Sequence, residues 1–156
     1  MTPSIRVLAC GAIDRGDDGV AVRAVRSLSR GARHGAEIEE VGYLSPELLI
    51  GDDPTLPRLV LDCVLGLPGG EIIDLPLAQL PELEARMRTT STHALAPGAA
   101  VALAALLGAV RPTDRFLGIG GEHFEPGDDL SPAVEAQLVA LAELVAARIE
   151  EARPCA

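Results

Sequence analysis

The chain of 156 residues carries 23 acidic against 13 basic side chains, a formal charge of −10, which suits one domain, residues 1–156, with a single core. It contains no Lys, Asn or Trp, which excludes a Lys-dependent phosphate loop, a lysine Schiff base and Asn-linked glycosylation. Tyr43, Phe116 and Phe124 are its only aromatic residues and make no base-stacking platform, while the acidic balance repels nucleic acid and anionic membrane surfaces.

The opening stretch MTPSIRVLAC lacks a basic segment followed by a long apolar one, and the longest apolar run, Ala99 to Leu107, is too short to span a bilayer. A cytoplasmic protein with no membrane partner is expected. Cys10, Cys63 and Cys155 are odd in number and widely spaced, which fits reduced thiols better than a disulfide framework.

Ser4 to Cys10 is a β-rich run ending at Gly11, and Asp17 is placed to cap a helix bearing Val20, Ala21, Ala24, Val25 and Leu28. Ala36 to Val41 reads as a second strand, Ser45 to Ile50 as a short helix, and Arg58 to Val64 as a fully buried third strand. Leu65 to Gly70 leave too little chain for a helical crossover, so the strand Glu71 to Leu75 should be antiparallel. Leu80 to Arg88 reads as a helix, Thr89 to Ala96 as a polar loop, and Pro97 to Val110 as an Ala/Leu-rich helix. Arg115 to Ile119 is a fifth strand, Gly120 to Leu130 a Gly/Asp-rich loop, and Ser131 to Arg153 one last helix capped by Ser131 and Pro132. The order predicts an α/β fold, a three-layer α/β/α sandwich around a mostly parallel five-stranded sheet with one antiparallel strand.

Ligands in such sheets sit beyond the carboxyl ends of the parallel strands. Asp14, Asp17 and Asp18 follow the first strand there, Asp62 ends the third, and a returning helix brings Thr89 to His93 back to the same edge. Asp18, Asp62 and His93 are therefore the candidate metal ligands, an oxygen and nitrogen set suited to nickel, zinc, manganese or iron. Asp62 is the strongest of the three, since a carboxylate inside LVLDCVL is costly to bury unless paired, hydrogen-bonded or liganded. His123, in GGEHFEPGDD, is the rival ligand. Ser91 and His93 make no hydrolase triad, because i and i+2 side chains seldom meet and no GxSxG elbow is present, and the glycines after the first strand do not form GxGxxG.

With these residues in view, the chain resembles the hydrogenase maturation proteases, endopeptidases that trim the C-terminal extension of the large subunit of nickel-iron hydrogenases. The resemblance spans nearly the full length and rests on RVLACGAIDRGDDGVAVRAV, LVLDCVLGLPGG, STHAL and FEPGDDLSPAVEAQL. Where the family has GxGN after the first strand this chain has Ala9 to Ala12, and where it has Asp-Gly-Gly after the second it has Glu40, Val41 and Gly42. The resemblance implies that Asp18, Asp62 and His93 hold a metal, that the metal is nickel presented by the large-subunit precursor, and that no organic cofactor is used. It implies a monomer acting on that precursor; the carboxylates themselves offer Asp17 or Glu40 as a base, or else an aspartic-type reaction in which no metal performs the chemistry. A non-catalytic nickel-binding accessory protein for hydrogenase assembly would use the same residues.

Overall fold

The computed structural model describes residues 2–51, 55–87 and 96–155. Within them the apolar runs become the strands of one sheet: β1 (Ile5–Cys10), β2 (Ala36–Val41), β3 (Arg58–Val64), β4 (Ile72–Pro76) and β5 (Arg115–Gly120). The strand order is β2-β1-β3-β5-β4, parallel throughout except for β4, which is antiparallel to β5. Around the sheet lie α1 (Val20–Ser27), α2 (Arg30–Arg33), α3 (Pro46–Ile50), α4 (Leu80–Met87), α5 (Pro97–Leu106), α6 (Pro132–Glu135) and α7 (Leu138–Ala152). Among the described residues, no helix is long and apolar enough to cross a membrane.

Alternation along the strands divides the core into two. Val7, Ala9, Leu59, Leu61, Leu117 and Ile119 face α1 and α7, where Val25, Leu141, Val145 and Ile149 are buried. Leu8, Cys10, Val60, Val64 and Phe116 face the opposite way, onto Leu49 of α3, Leu80 of α4 and Val101 of α5. The result is the expected α/β/α sandwich. Each fully buried leucine contributes about 1.5–3 kcal/mol.

The antiparallel strand is seated beyond β5 and does not pair with β3, so residues 65–71 must step across the end of β5. A Cβ on Gly120 would lie 2.0 Å from the Pro68 carbonyl oxygen, and only glycine admits the crossing. Gly70 N–H donates to the Gly120 carbonyl and Gly120 N–H to that of Glu71, both at 2.8 Å, which closes the corner.

Two sequence expectations are corrected. Asp17 does not cap α1. It lies inside a three-ten turn, Gly16–Gly19, and its side chain is directed elsewhere. The last helix is two, α6 and α7, broken at Ala136 and Gln137, and Ser131 gives α6 no side-chain cap because its hydroxyl is committed to Asp17.

From β1 the chain moves to β2 on one side and then to β3 on the other. The carboxyl ends of β1 and β3 therefore flank the switch point, where a crevice opens in folds of this kind. At the opposite edge, Arg58 and Asp114 are both fully buried and joined at 2.6 Å, with Arg58 also donating to the Leu49 and Ala109 carbonyls. That pair locks the base of the sheet, away from the site.

Candidate functional site

Asp62 is the penultimate inward-facing residue of β3, between Val60 and Val64 on the face covered by α3, α4 and α5. It is half-buried, and the Cys63 N–H donates to its Oδ1 at 2.8 Å. Burial pushes its carboxyl up to about 8, the charges of Asp18 and Glu84 push the same way, and the Cys63 N–H opposes them. A carboxylate so placed is one whose charged form a cation would favour strongly.

Asp18 comes to Asp62 by way of the loop after β1. Gly11, at φ +118°, turns the chain out of the strand, and a Cβ there would lie 1.9 Å from the Asp18 carbonyl oxygen. Asp18 Oδ2 accepts the Ala12 N–H at 2.9 Å, which holds its side chain back toward the strand end. The Cys10 thiol, one residue past Ala9 where β1 pairs with Leu61 of β3, registers both acids: burial pushes it up first, then the charges of Asp62 and Asp18. Cys63 is pushed up by burial and by Asp62, and packs on the other face of the sheet. Burial and the neighbouring acids thus disfavour the thiolate form of both.

His93 lies outside the described residues, as does the rest of 88–95. Its segment joins α4 to α5, two of the three helices that cover the Asp62 face. Among the described residues, no three His, Cys, Asp or Glu side chains gather to hold a metal ion. Of the predicted set, Asp18 and Asp62 lie at the same sheet edge, near enough for the charge of Asp18 to raise the Asp62 carboxyl.

Three secondary candidates have other occupations. Asp17 is fully buried, with Oδ2 accepting the Glu122 and His123 N–H groups and the Ser131 hydroxyl, and Oδ1 accepting the Ser131 N–H. Burial alone would raise its carboxyl, but these four donors outweigh burial and hold it below the ordinary range. With its lone pairs taken, Asp17 is a staple that holds the 121–131 loop against the first loop, and a poor base. Glu40, at the end of β2, is tied to Arg26 of α1 through contacts of 2.6, 3.0 and 3.1 Å, and that pairing lowers its carboxyl. His123 is exposed, and its backbone, rather than its ring, meets Asp17.

One acid at this face is a finding of the structure: Glu84 of α4. Leu80, Leu83 and Met87 of that helix pack into the core, and Glu84 completes the i, i+3, i+4, i+7 stripe. A carboxylate on an inward stripe was the available signal. Burial raises its carboxyl, while the Gly98 N–H, donated to its Oε2 at 2.9 Å, lowers it.

No protein-family model matches the chain, and no curated protein matches it either. In three dimensions the outcome differs. The hydrogenase maturating endopeptidase HybD from E. coli superposes with a TM-score of 0.72 at 24% identity, covering 97% of this chain and 93% of that one. The fold is that of the hydrogenase maturation proteases. The [NiFe] hydrogenase maturation protease HybD from Thermococcus kodakarensis gives 0.64 at 24% identity over 92% of this chain and 96% of its own. HycI, a [NiFe] hydrogenase maturation protease of Thermococcus kodakarensis KOD1, gives 0.63 at 20% identity over 94% and 92%. These likenesses run nearly end to end, so the switch-point edge bearing Asp18 and Asp62 belongs to the shared architecture.

Proposed function

We propose that the protein is an endopeptidase that removes the C-terminal extension of a nickel-iron hydrogenase large-subunit precursor after nickel insertion. The carrying observation is that Asp18 and Asp62 share the switch-point edge, with the charge of one raising the carboxyl of the other, in a fold shared with proteins named hydrogenase maturation proteases. Neither acid has a basic partner among the described residues, and burial together with mutual repulsion makes Asp62 costly to ionise. A divalent ion carried in by the substrate relieves that cost.

In this reading Asp18, Asp62 and His93 are the residues that complete the shell of the precursor's nickel, entering as part of the substrate. The chain's own contribution is positional. Gly11 and the Asp17 staple fix the loop that presents Asp18, and the end of β3 fixes Asp62, so the bound tail is held in register with few degrees of freedom left to lose. Oxygen and nitrogen donors suit such an ion, which fixes the tail and polarises nearby groups when bound. The partner is the precursor, and the compartment is the cytoplasm where that precursor is assembled.

Intact-mass measurement of a nickel-loaded precursor, before and after incubation with the protein, tests this. Loss of one C-terminal peptide supports an endopeptidase. Stable binding with an unchanged precursor mass would instead make the protein an accessory that grips or inspects the ion.

A further inference from the structure

Helix α5 begins without the means to satisfy its own first turn. Ala96, at the cap position, has no side-chain acceptor, and Pro97 has no N–H. The N–H groups of Ala99 and Ala100 turn to the Ala96 carbonyl, at 2.8 and 3.4 Å. That leaves Gly98, whose N–H is received by Glu84 Oε2 at 2.9 Å from the neighbouring helix α4. A carboxylate at a helix start also complements the helix dipole.

The approach is close enough to dictate the residue opposite. A Cβ on Gly98 would lie 2.2 Å from Glu84 Oε2 and 3.1 Å from the Pro81 Cα, so the Glu84 carboxylate reaches the helix start in this pose because Gly98 has no side chain. Glu84 is half-buried, on the stripe that faces the sheet, and its charge reaches Asp62. The clasp thus lies at the face that carries the candidate site, and it joins the two helices between which the chain passes through His93.

We propose that Glu84 is a positioning residue of the processing site: by receiving the Gly98 N–H it locks the start of α5 onto α4, and so fixes the points from which the segment carrying His93 departs and to which it returns. The role rests on the endopeptidase reading above. It requires an acceptor at this position, not a negative charge.

The test compares wild type, Glu84→Gln and Glu84→Ala on nickel-loaded precursor, with kcat and KM separated and hydrogen exchange read at the Gly98 amide. The Gln side chain still offers an oxygen, so Glu84→Gln should stay within about threefold of wild type, whereas Glu84→Ala should lower kcat roughly tenfold with KM little changed. Gly98 should stay protected in wild type and Glu84→Gln and lose protection in Glu84→Ala. Wild-type kcat in Glu84→Ala, Glu84→Gln as slow as Glu84→Ala, or unchanged Gly98 protection in Glu84→Ala would each overturn the role. A wild-type protein that leaves the precursor uncut would sink the endopeptidase reading itself, a result distinct from an active wild type indifferent to Glu84.

Discussion

Asp17 and Ser131, 114 positions apart, are joined twice: the Ser131 N–H donates to Asp17 Oδ1 at 2.7 Å and its hydroxyl to Oδ2 at 2.8 Å. The Gly16 N–H to Gly127 and Asp17 N–H to His123 carbonyl contacts, each at 2.8 Å, run beside them. The loop before α6 is therefore the outer wall of the loop that presents Asp18.

Asp17→Asn should destabilise the protein by about 3 kcal/mol, because the new NH2 group faces backbone N–H donors that need an acceptor. The effect depends on pH. Asp17's carboxyl lies below its ordinary value in the folded chain, so its stabilisation is complete above the unfolded value near about 4 and is lost as pH falls through the lower folded value. Urea unfolding should show a gap between wild type and variant that is full at neutral pH and narrows in acid. A gap constant down to pH of about 2 would contradict the assignment.

Replacement of Asp62 by Asn should lower precursor processing on the order of a hundredfold or more, since the ion loses a ligand and the tail its register. Folding should not suffer. With its carboxyl raised to about 8, Asp62 takes up a proton when the chain folds at neutral pH, a cost that Asn does not carry, so the thermal midpoint at neutral pH should equal or exceed that of wild type. Near-normal processing would take Asp62 out of the site.

Gly11→Ala probes how Asp18 is placed. The new methyl would occupy the position of the Asp18 carbonyl at a φ that L side chains rarely adopt, so the loop must move. A loss of roughly 2 kcal/mol or more is expected, together with a processing defect larger than that of Gly42→Ala, whose Cβ meets nothing within 4 Å. Equal, small effects in the two variants would contradict it.

At the base of the sheet, Asp114→Ala removes the buried acceptor of the Arg58 N–H, the Arg58 guanidinium and the Arg111 N–H, and should cost about 3–5 kcal/mol. Urea denaturation measures this directly. Processing by the fraction that stays folded should be unchanged, because the pair lies at the edge opposite Asp18 and Asp62.

What sequence could reveal depended on how local each cause is. The bounds of β3 coincide with the run RLVLDCV because burial on both faces of a parallel sheet writes itself as continuous apolar sequence, whereas those of β2, an edge strand, follow the alternation of Ala36 and Ile38 with Glu37 and Glu39 in AEIEEV. Asp62 was legible as a charge set inside the β3 run. Asp17 was misread as a helix cap because acids at helix starts usually are caps, while its actual partners lie 105 to 114 positions away. Glu84 was hidden by its exposed neighbours Glu82 and Arg86, which make α4 look like a solvated helix. The break between α6 and α7 has no Gly or Pro to mark it, and the commitment of Ser131 to Asp17 is invisible in the local pattern.

In the proposed function Asp18 and Asp62, with His93, act on an ion carried by the substrate. The most direct measurement of this is the rate of C-terminal peptide release from one precursor prepared with and without nickel. Release is expected from the nickel-loaded form alone, and none from it with Asp62→Asn. Equal release from both forms would contradict it.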